Sequence, residues 1–417
     1  MSRMRVSGRL SGKVEAMPSK SMAHRAVLCA ALSGGESRIS HIAFSRDIQA
    51  TIACAKALGL ADFSFAGDKL RVIGRPRTVA EEALLPCGES GSTLRFFLPL
   101  SCLLAKKARF VCEGRLAERP LEPLKSLLME KGVAWPGSHE VSGRPAAGTF
   151  EIAGNVSSQF ISGLLFALPL LEGDSVIRLT TPLESAGYVE LTRQMQAAFG
   201  VRSEWKSERE LLVPGNQTYR PSDVRVEGDY SHAAFFAVAG QIGGEIAVSG
   251  LLPDSRQGDK AVLEILARMG GNIEIQGETV FSRPSLLSGT VIDAAQIPDL
   301  VPILAVAGAA AKGETRIVHA QRLRIKESDR LAATAAELAK MGAEIEETLD
   351  GLVIRGGRPL HGAEIDSHND HRIAMAAAVA AGLAAGETVI GGAECVAKSA
   401  PQFWEEFRSL GGNAVEQ

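Results

Sequence analysis

The chain has 417 residues, more than one hydrophobic core usually covers, so we expect two domains. Its composition is that of a globular protein, with 46% hydrophobic and 22% charged residues and 43 glycines that imply many tight turns. The formal net charge of −3 argues against a nucleic-acid partner, because a nucleic-acid footprint normally needs a basic excess on one face. Basic residues that bind ligands must therefore act locally.

Cysteine and histidine usage indicates a protein without disulfides or a metal site. The six cysteines include no CxxC pair, and in a chain of this size we interpret them as reduced thiols of a cytosolic protein. The eight histidines form no HExxH motif or His/Cys cluster, so we expect neither a metal nor another cofactor. Residues 1–12 lack the apolar stretch of a secretory signal. The longest apolar stretches, near 300–311 and 373–385, are too short to span a bilayer and are predicted to be buried helices.

A helix-period segment that ends at a glycine, followed by an extended apolar segment, recurs six times along the chain. Glycine after the last helical residue is the expected left-handed cap. Strand pairs follow the first five of these glycines, and a strand then leads into a second helix. The chain is therefore predicted to be α/β, built from six β-α-β-α-β-β-like units. The six glycines are Gly59, Gly132, Gly200, Gly270, Gly342 and Gly411.

The places where a strand meets the second helix of a unit concentrate Ser, Asp, Asn, Gln and Gly, at 87–94, 155–160, 228–233, 296–300 and 368–372. These residue types cap helices, and capping alone explains any one place about as well as ligand binding does. Repetition favours ligand binding, because several helix N-termini aimed at one cleft would offer N–H groups and positive dipole ends to an anion.

Motifs in the first half of the chain place cationic and hydroxyl groups at predicted helix starts. Lys20, Ser21 and Arg25 lie within about two turns of one helix, a pattern that suits phosphate or carboxylate, with a solvated basic helix start as the plainer interpretation. The Gly-rich block at 88–97 lets a ligand approach the backbone, although alone it is a weak signal. Further candidates are Gly91 and Arg95 in that block, Arg115 in a loop that could simply be exposed, and the helix-start donors Ser157, Ser158 and Gln159.

Motifs in the second half add carboxylates to the cations. At i and i+4, Lys326 and Arg330 are predicted to share a helix face, with Glu327 beside them. A surface salt-bridge ladder is the plainer interpretation of that run. Arg372 leads a strongly apolar helix, a position that solvation alone does not explain. Asp299 offers a carboxylate at a helix start, and Lys398 lies near the end of the chain.

Taken in order, these motifs resemble those of the 5-enolpyruvylshikimate-3-phosphate synthase family of enolpyruvyl transferases, over nearly the whole chain. The motifs are SKSxxxR, the Gly-rich block ending in Arg95, SSQ, PD, KESDR, NDHR and the terminal Lys. The resemblance implies the enolpyruvyl transferase fold, an inside-out α/β barrel of two similar lobes, each of three units, with the active site in the cleft between them. It assigns 1–18 and 227–417 to one discontinuous lobe and 19–226 to the other.

The reaction implied by the resemblance transfers the enolpyruvyl group of phosphoenolpyruvate to the 5-hydroxyl of shikimate 3-phosphate. It releases phosphate and passes by addition and elimination through a tetrahedral intermediate. Asp299 is the expected base and Glu327 the expected acid, and Lys20 could share that work. We expect these two metabolites as partners of a monomer that binds neither nucleic acid nor membrane.

The resemblance also implies which residues contact each substrate. The residues expected to contact shikimate 3-phosphate are Ser21, Arg25, Ser157, Ser158, Gln159, Ser185, Tyr188, Asp299 and Lys326. Those expected to contact phosphoenolpyruvate are Lys20, Gly91, Arg115, Arg330, Arg372 and Lys398. Gln159 is expected to reach both ligands, and Arg95 to support the pocket.

Three positions depart from the family pattern, and two other functions stay open. Pro18 stands where many relatives have Gly, while Glu89 and Arg322 stand where Asn is common, so a phosphate contact from position 89 stays open.

UDP-N-acetylglucosamine enolpyruvyl transferases share the fold but usually carry a reactive Cys where this chain has Gly114. A non-catalytic phosphate- or RNA-end-binding protein is the other alternative, although the net charge of −3 counts against RNA.

Overall fold

The computed structural model describes residues 2–417, in which helices and strands alternate. Helices begin at or near the strand–helix junctions predicted above, and most of these helices carry candidate site residues at their start. The α-helices are α1 (Lys20–Leu32), α2 (Arg46–Ala57), α3 (Gly91–Leu104), α4 (Leu124–Glu130), α5 (Ser158–Ala167), α6 (Ala186–Ala198), α7 (Tyr230–Ile242), α8 (Val262–Arg268), α9 (Val301–Ala310), α10 (Arg330–Lys340), α11 (His371–Ala381) and α12 (Phe403–Ser409).

The strands are short and evenly distributed along the chain. They are β1 (Arg3–Ser7), β2 (Gly12–Glu15), β3 (Glu36–Ser40), β4 (Ala61–Ala66), β5 (Lys69–Gly74), β6 (Ala80–Gly88), β7 (Ala105–Cys112), β8 (Ala134–Gly137), β9 (Glu140–Ser142), β10 (Thr149–Ile152), β11 (Ser175–Leu179), β12 (Glu204–Ser207), β13 (Glu210–Val213), β14 (Val224–Arg225), β15 (Ile246–Ser249), β16 (Asn272–Gln276), β17 (Thr279–Arg283), β18 (Val291–Asp293), β19 (Gly313–Val318), β20 (Glu344–Glu347), β21 (Leu352–Gly356), β22 (Glu364–Asp366), β23 (Thr388–Gly391) and β24 (Asn413–Glu416).

Within residues 2–417 these strands form six four-stranded sheets that share one pattern. Each sheet has one parallel pair, and two further strands extend it by antiparallel pairing; β6 and β7 are parallel, for example, while β7 pairs with β9 and β9 with β8 in antiparallel register. A parallel pair needs a crossover, and a buried helix such as α3 supplies it. The predicted α/β architecture of six similar units is therefore confirmed.

The chain divides into two compact units, Met1–Ser19 with Glu227–Gln417, and Lys20–Val226. Each unit holds three of the six sheets described for residues 2–417. Two parallel pairs join strands that are far apart in the chain: β2 pairs with β15 in the first unit, and β14 pairs with β3 in the second. The helices of those two sheets, α7 and α1, therefore each follow a strand that belongs to the other unit.

The six predicted cap glycines all end a helix in the same way. Their φ angles run from 65° at Gly59 to 97° at Gly132, in the left-handed region that costs glycine little. The residue after each glycine donates its backbone N–H to a carbonyl five residues earlier, as Leu60 does to Ala55 and Val133 does to Leu128. This is the Schellman arrangement, which satisfies carbonyls that the end of a helix leaves unpaired.

Two kinds of helix alternate, and burial distinguishes them. The crossover helices are buried nearly all round, as in α9, where each residue from Val301 to Ala309 is buried. The intervening helices are amphipathic, as in α10, whose exposed face carries Lys340. The two long apolar stretches of the sequence form α9 and α11, so the prediction that they are buried helices is confirmed. Among residues 2–417 no helix has both the length and the apolar character needed to cross a bilayer.

Candidate functional site

In the first unit, Arg330 lies at the centre of a cluster of three carboxylates. Its side chain is 2% exposed, and it opens α10 directly after the N-cap Asp329. Nε donates to Asp370 at 2.7 Å, Nη1 to Asp299 at 2.8 Å and Nη2 to Glu327 at 2.6 Å. A guanidinium is suited to this arrangement, because its rigid planar fork can bind several acceptors at once.

Asp299 is the carboxylate on which the cations of this unit converge. Besides Arg330, Arg372 donates to its Oδ2 at 3.2 Å and to its backbone carbonyl at 3.0 Å, and Lys326 Nζ lies 3.4 Å from Oδ1. Burial opposes ionisation of Asp299, but the positive charges of Arg372, Lys326 and Arg330 outweigh it and hold its pKa well below the ordinary value. The carboxylate is therefore ionised and surrounded by positive charge.

Lys326 reaches this cluster from a different element than predicted. It follows the 3-10 helix Gln321–Ile325 in extended conformation, so it does not share a helix face with Arg330 and that prediction is wrong. The physical reason is the cap: the side chain of Asp329 accepts the N–H of Ala332, which starts α10 at Arg330. Lys326 and Arg330 nevertheless meet at the same Asp299 oxygen.

The turn before α11 is held in a costly conformation. His368 and Asn369 have φ angles of 51° and 52°, in the left-handed region that side chains disfavour. His368 Nε2 lies 2.8 Å from the buried carboxylate of Glu337, and Lys398 donates to the backbone carbonyl of Asn369 at 2.7 Å. These bonds hold the turn that delivers Asp370 and Arg372 to the cluster.

Asp370 is a member of this cluster that the candidate set omitted. It is fully buried, caps α11 through the N–H of Arg372 at 3.0 Å, and accepts from Ser328 at 3.0 Å as well as from Arg330. Burial opposes its ionisation, and the charge of Arg330 outweighs burial and lowers its pKa. The sequence signal was present in the NDHR motif, where an acid directly precedes a helix.

In the second unit, Lys20 is paired with an acid that sequence reasoning also missed. Lys20 opens α1, and its Nζ lies 2.9 Å from Oδ2 of Asp47 in the first turn of α2. Both side chains are mostly buried, with exposures of 19% and 13%. The sequence signal for Asp47 is an acid in the first turn of a helix, where the helix dipole stabilises a negative charge. Acids are common at such positions on protein surfaces, so the signal does not single out a site residue.

Arg25 organises the neighbouring helix ends from inside the core. It is 2% exposed and donates to the backbone carbonyls of Ser21 at 2.7 Å and Tyr188 at 2.8 Å. It also donates to Thr192 at 2.7 Å and Ser162 at 3.3 Å. These bonds occupy four of the five N–H donors of a guanidinium. Burial lowers the pKa of Arg25 to about 10, so it stays charged at neutral pH.

Ser185 continues this region at the start of α6. It is buried and occupies the N-cap position of α6 with a φ of 55°, a left-handed conformation that few non-glycine residues adopt. Tyr188 lies one turn later, and its carbonyl is bound by Arg25. The predicted shikimate 3-phosphate residues Ser21, Arg25, Ser185 and Tyr188 are thus joined through one guanidinium and one helix start.

The starts of α3 and α5 are joined by Gln159. Arg95 donates to its Oε1 at 2.8 Å, and Gln159 donates to Ser92 at 2.9 Å. Ser157 caps α5, and Ser158 is its first, buried residue. A Cβ on Gly91 would lie 2.7 Å from Nη1 of Arg95 and 3.0 Å from Nη1 of Arg119, so any side chain there would displace two guanidiniums. The absence of a side chain at position 91 therefore has a direct steric reason in the packing of these two guanidiniums.

Arg115 lies on a short 3-10 helix, Gly114–Glu118, and is exposed. A Cβ on Gly114 would lie 2.6 Å from the carboxylate of Glu89, so the acid that departs from the family pattern packs against this loop. The structure joins the other candidates of each unit through hydrogen bonds or shared helix starts, whereas Arg115 stands on its own loop.

Among residues 2–417 no group of His, Cys, Asp and Glu side chains has the geometry of a metal site. The cysteines are free thiols, and all are buried except the half-buried Cys112. A hydrogen bond with Cys87 and then burial raise the pKa of Cys112 far above its ordinary value. Cys112 is therefore mostly protonated at neutral pH.

Native alkylation should modify Cys112 alone, and slowly at pH 7, because its raised pKa leaves little thiolate. Iodoacetamide treatment followed by peptide mapping measures this, with the denatured chain as the control in which all six thiols react. Rapid labelling of a second cysteine in the native protein would contradict the burial described here.

Comparison with known proteins identifies the family to which these residues belong. The family model for EPSP synthase (3-phosphoshikimate 1-carboxyvinyltransferase) matches residues 4–407. A 3-phosphoshikimate 1-carboxyvinyltransferase of Clostridium perfringens is 48% identical over 413 residues, 97% of each chain. The corresponding enzyme of Clostridium acetobutylicum is 46% identical over 98% of this chain and 96% of its own.

Solved structures agree with this assignment. An EPSP synthase from Acinetobacter baumannii matches with a TM-score of 0.81 at 25% identity, covering 100% of both chains. The enolpyruvyl transferase NikO from Streptomyces tendae shares the fold, with a TM-score of 0.82 at 20% identity over 100% of this chain and 99% of its own. The chain belongs to the EPSP synthase family, the 3-phosphoshikimate 1-carboxyvinyltransferases, and has the activity of that family, the transfer of the enolpyruvyl group of phosphoenolpyruvate to shikimate 3-phosphate.

Proposed function

We propose that the cations described for each unit bind the anionic substrates of the family reaction. The observation that carries this proposal is the convergence of Arg330, Arg372 and Lys326 on Asp299, which concentrates cations around one ionised acid. Phosphoenolpyruvate and shikimate 3-phosphate are both highly charged anions. A hydrogen bond to a charged group contributes about 1.5–3 kcal/mol, so several such donors are needed to hold the pair.

Phosphoenolpyruvate is the proposed ligand of a set of cations that are buried, such as Arg330 and Lys398, or exposed, as Arg115 is. Its proposed contacts are Arg330, Arg372 and Lys398 from the first unit, and Lys20, Gly91 and Arg115 from the second. Gly91 contributes its backbone N–H at the start of α3, where the helix dipole favours an anion. Arg95 holds Gln159 rather than the ligand itself, in keeping with its bond to the amide oxygen.

Shikimate 3-phosphate is the proposed ligand of the helix starts in the second unit. Its contacts there are Ser21, Arg25, Ser157, Ser158, Gln159, Ser185 and Tyr188, and Asp299 and Lys326 complete the set from the first unit. The phosphate takes the fifth N–H of Arg25, whose other four donors fix the surrounding backbone. Charge-assisted bonds of this kind give orientation as well as affinity.

Asp299 is the proposed base at the 5-hydroxyl of shikimate 3-phosphate. Without substrate its pKa is held low by three cations, which makes it a weak base. Anionic substrates that bind the same cations would neutralise their field and thereby raise the pKa of Asp299 toward a useful value. The base thus becomes effective when both substrates are present.

Glu327 is the proposed acid toward the methylene carbon of phosphoenolpyruvate. It delivers a proton to that carbon while the hydroxyl oxygen, having given its proton to Asp299, bonds to the adjacent carbon. The tetrahedral adduct then loses phosphate, which takes up the proton held by Asp299, and a methyl proton returns to Glu327, so that the double bond re-forms as the enol ether of the product. Lys20 shares the proton transfer from the second unit, where Asp47 keeps it positioned.

Replacing Glu327 by Gln should lower kcat by about 10²–10⁴, because the amide cannot deliver the proton. The Michaelis constants should change little, since Gln keeps the size of the side chain and an acceptor for Arg330. Steady-state kinetics with both substrates measure the split. Glu347→Gln is the matched control, because Glu347 pairs with Arg324 and does not contact Arg330. Near-normal turnover in Glu327→Gln would show that another group is the acid.

A phosphate-release assay with each substrate omitted in turn tests the proposed substrate pair. Release should require both phosphoenolpyruvate and shikimate 3-phosphate, and UDP-N-acetylglucosamine should not replace the latter. Titration calorimetry separates catalysis from binding alone, because saturable binding of both metabolites without phosphate release would favour a non-catalytic binding protein.

A further inference from the structure

Four buried polar side chains form a continuous row through the apolar core of the second unit. His24 Nδ1 lies 2.7 Å from Thr51 Oγ1, which lies 2.7 Å from Thr93 Oγ1, which in turn lies 2.7 Å from Ser90 Oγ. The first three residues are 0% exposed and Ser90 is 1% exposed. Only a minority of hydrogen bonds in proteins join two side chains, so three in series within a core are unusual.

Each member of the row lies beside a residue that the proposed site uses. His24 is one turn after Lys20 on α1, and Thr51 is one turn after Asp47 on α2. Ser90 caps α3 immediately before Gly91 and accepts the N–H of Thr93. The row therefore joins the first two turns of α1 and α2 to the start of α3, and these turns carry the Lys20–Asp47 pair and the N–H of Gly91.

The geometry also orders the protons along the row. Thr93 donates its hydroxyl proton to Ser90, with the carbonyl of Asp47 as a second acceptor at 3.5 Å. A hydroxyl has one proton, so Thr51 must donate to Thr93, and the ring of His24 must donate from Nδ1 to Thr51. Nε2 of His24 is buried without a hydrogen-bond partner among the described residues, as an unprotonated nitrogen in an apolar setting can be.

We propose that His24, Thr51, Thr93 and Ser90 are positioning residues that fix Lys20 and Asp47 relative to the Gly91 N–H, and so set the binding of phosphoenolpyruvate. This rests on the proposed function, in which Lys20 and Gly91 contact that substrate. Apolar side chains could fill the same volume, but they would let the helices slide, whereas short directional bonds define their separation.

Breaking the row at its centre tests the proposal. Thr51→Val keeps the shape but removes the hydroxyl, and should raise the KM for phosphoenolpyruvate about tenfold, the effect of one displaced charge-assisted contact. The KM for shikimate 3-phosphate should stay within about twofold, since most of its contacts lie on other helix starts. Thr51→Ser restores the hydroxyl and should restore the wild-type KM. Thr315→Val, an equally buried threonine of the first unit, is the matched control and should leave both constants unchanged.

A second measurement needs no enzymatic activity. Nitrogen-15 spectra of the histidine rings should show His24 as the neutral Nδ1–H tautomer in the wild type and a shift toward Nε2–H in Thr51→Val. In the wild type the signal of the neutral ring should persist below pH 6.5, because burial lowers the pKa of His24, and the charges of Lys20 and Arg25 on the same helix lower it further. The groups that contact the ring from α2 and α3, Thr51 and Phe96, carry no charge.

The possible outcomes distinguish a failure of the positioning role from a failure of the proposed function. An Nε2–H tautomer in the wild type would overturn the proton order and with it the row as proposed. A Thr51→Val enzyme with a lower melting temperature but an unchanged KM for phosphoenolpyruvate would reduce the row to a structural feature and overturn positioning. If the wild type released no phosphate, the proposed function would fail, while the tautomer would still report on the row.

Discussion

Replacing Asp299 by Asn is expected to lower kcat by about 10²–10⁴ and to leave the KM for phosphoenolpyruvate unchanged or lower. The amide cannot take the proton of the attacking hydroxyl. At the same time, loss of the negative charge releases Arg372, Lys326 and Arg330 from their shared partner, so they attract the anionic substrates at least as well as before. A fall in turnover without a loss of affinity is the signature of a group that acts in the transition state.

Steady-state kinetics and equilibrium binding of both substrates together decide this prediction. Asp293→Asn, at an acid of the same unit that is 61% exposed, is the matched control and should be unaffected. If Asp299→Asn kept near-normal turnover, the base would have to be sought elsewhere, with Lys20 as the next candidate. If only substrate affinity fell, Asp299 would be a binding group.

Replacing Asp370 by Ala is expected to cost about 3–5 kcal/mol of unfolding free energy, the largest stability effect we expect. The change removes the partner of a buried guanidinium, the cap of α11 and the acceptor of Ser328 at once. Asp370→Asn keeps a capping acceptor and should recover about 1 kcal/mol of that loss. Urea unfolding at neutral pH measures both variants.

The pH dependence of this effect has a definite sign. The pKa of Asp370 is lower in the folded protein than in the unfolded chain, so its stabilisation is present above about pH 4 and is lost as the pH falls through the folded value. The difference between wild type and Asp370→Ala should therefore shrink in acid. A constant difference down to pH 2 would mean that capping and packing, rather than charge, account for the loss.

The repeat could be predicted from sequence because local chemistry determines it. A glycine after each helix forms the same Schellman cap six times, and the apolar stretches around Val301 and Ile373 form buried helices as expected. Pattern alone could not reveal that β2 pairs with β15 and β14 with β3, because a four-residue and a two-residue strand do not specify partners more than 180 residues away.

The cations of the site were easier to predict than their partners. Lys20 and Arg330 belong to recognisable motifs, whereas Asp47 lies outside them, and Asp370, although part of the NDHR motif, shows its role only through packing. The helix face proposed for Lys326 failed because an i, i+4 rule applies only within a helix, and the cap at Asp329 begins α10 later. The burial of Arg25 in the core could not be predicted either, since it depends on three acceptors from α5 and α6 as well as on the Ser21 carbonyl of its own helix.

The pairing of the first two strands with distant segments constrains the order in which this protein can fold during translation. Residues 20–226 make up the whole of the second unit, so that unit can fold while the rest of the chain is still being synthesised. The opening segment cannot fold at that stage, because the partner strands of β1 and β2 have not yet been synthesised. β2 pairs with β15, and β1 pairs with β23 and β24 at the far end of the chain. During translation these first strands remain as unpaired edges, the kind of surface on which nascent-chain chaperones act.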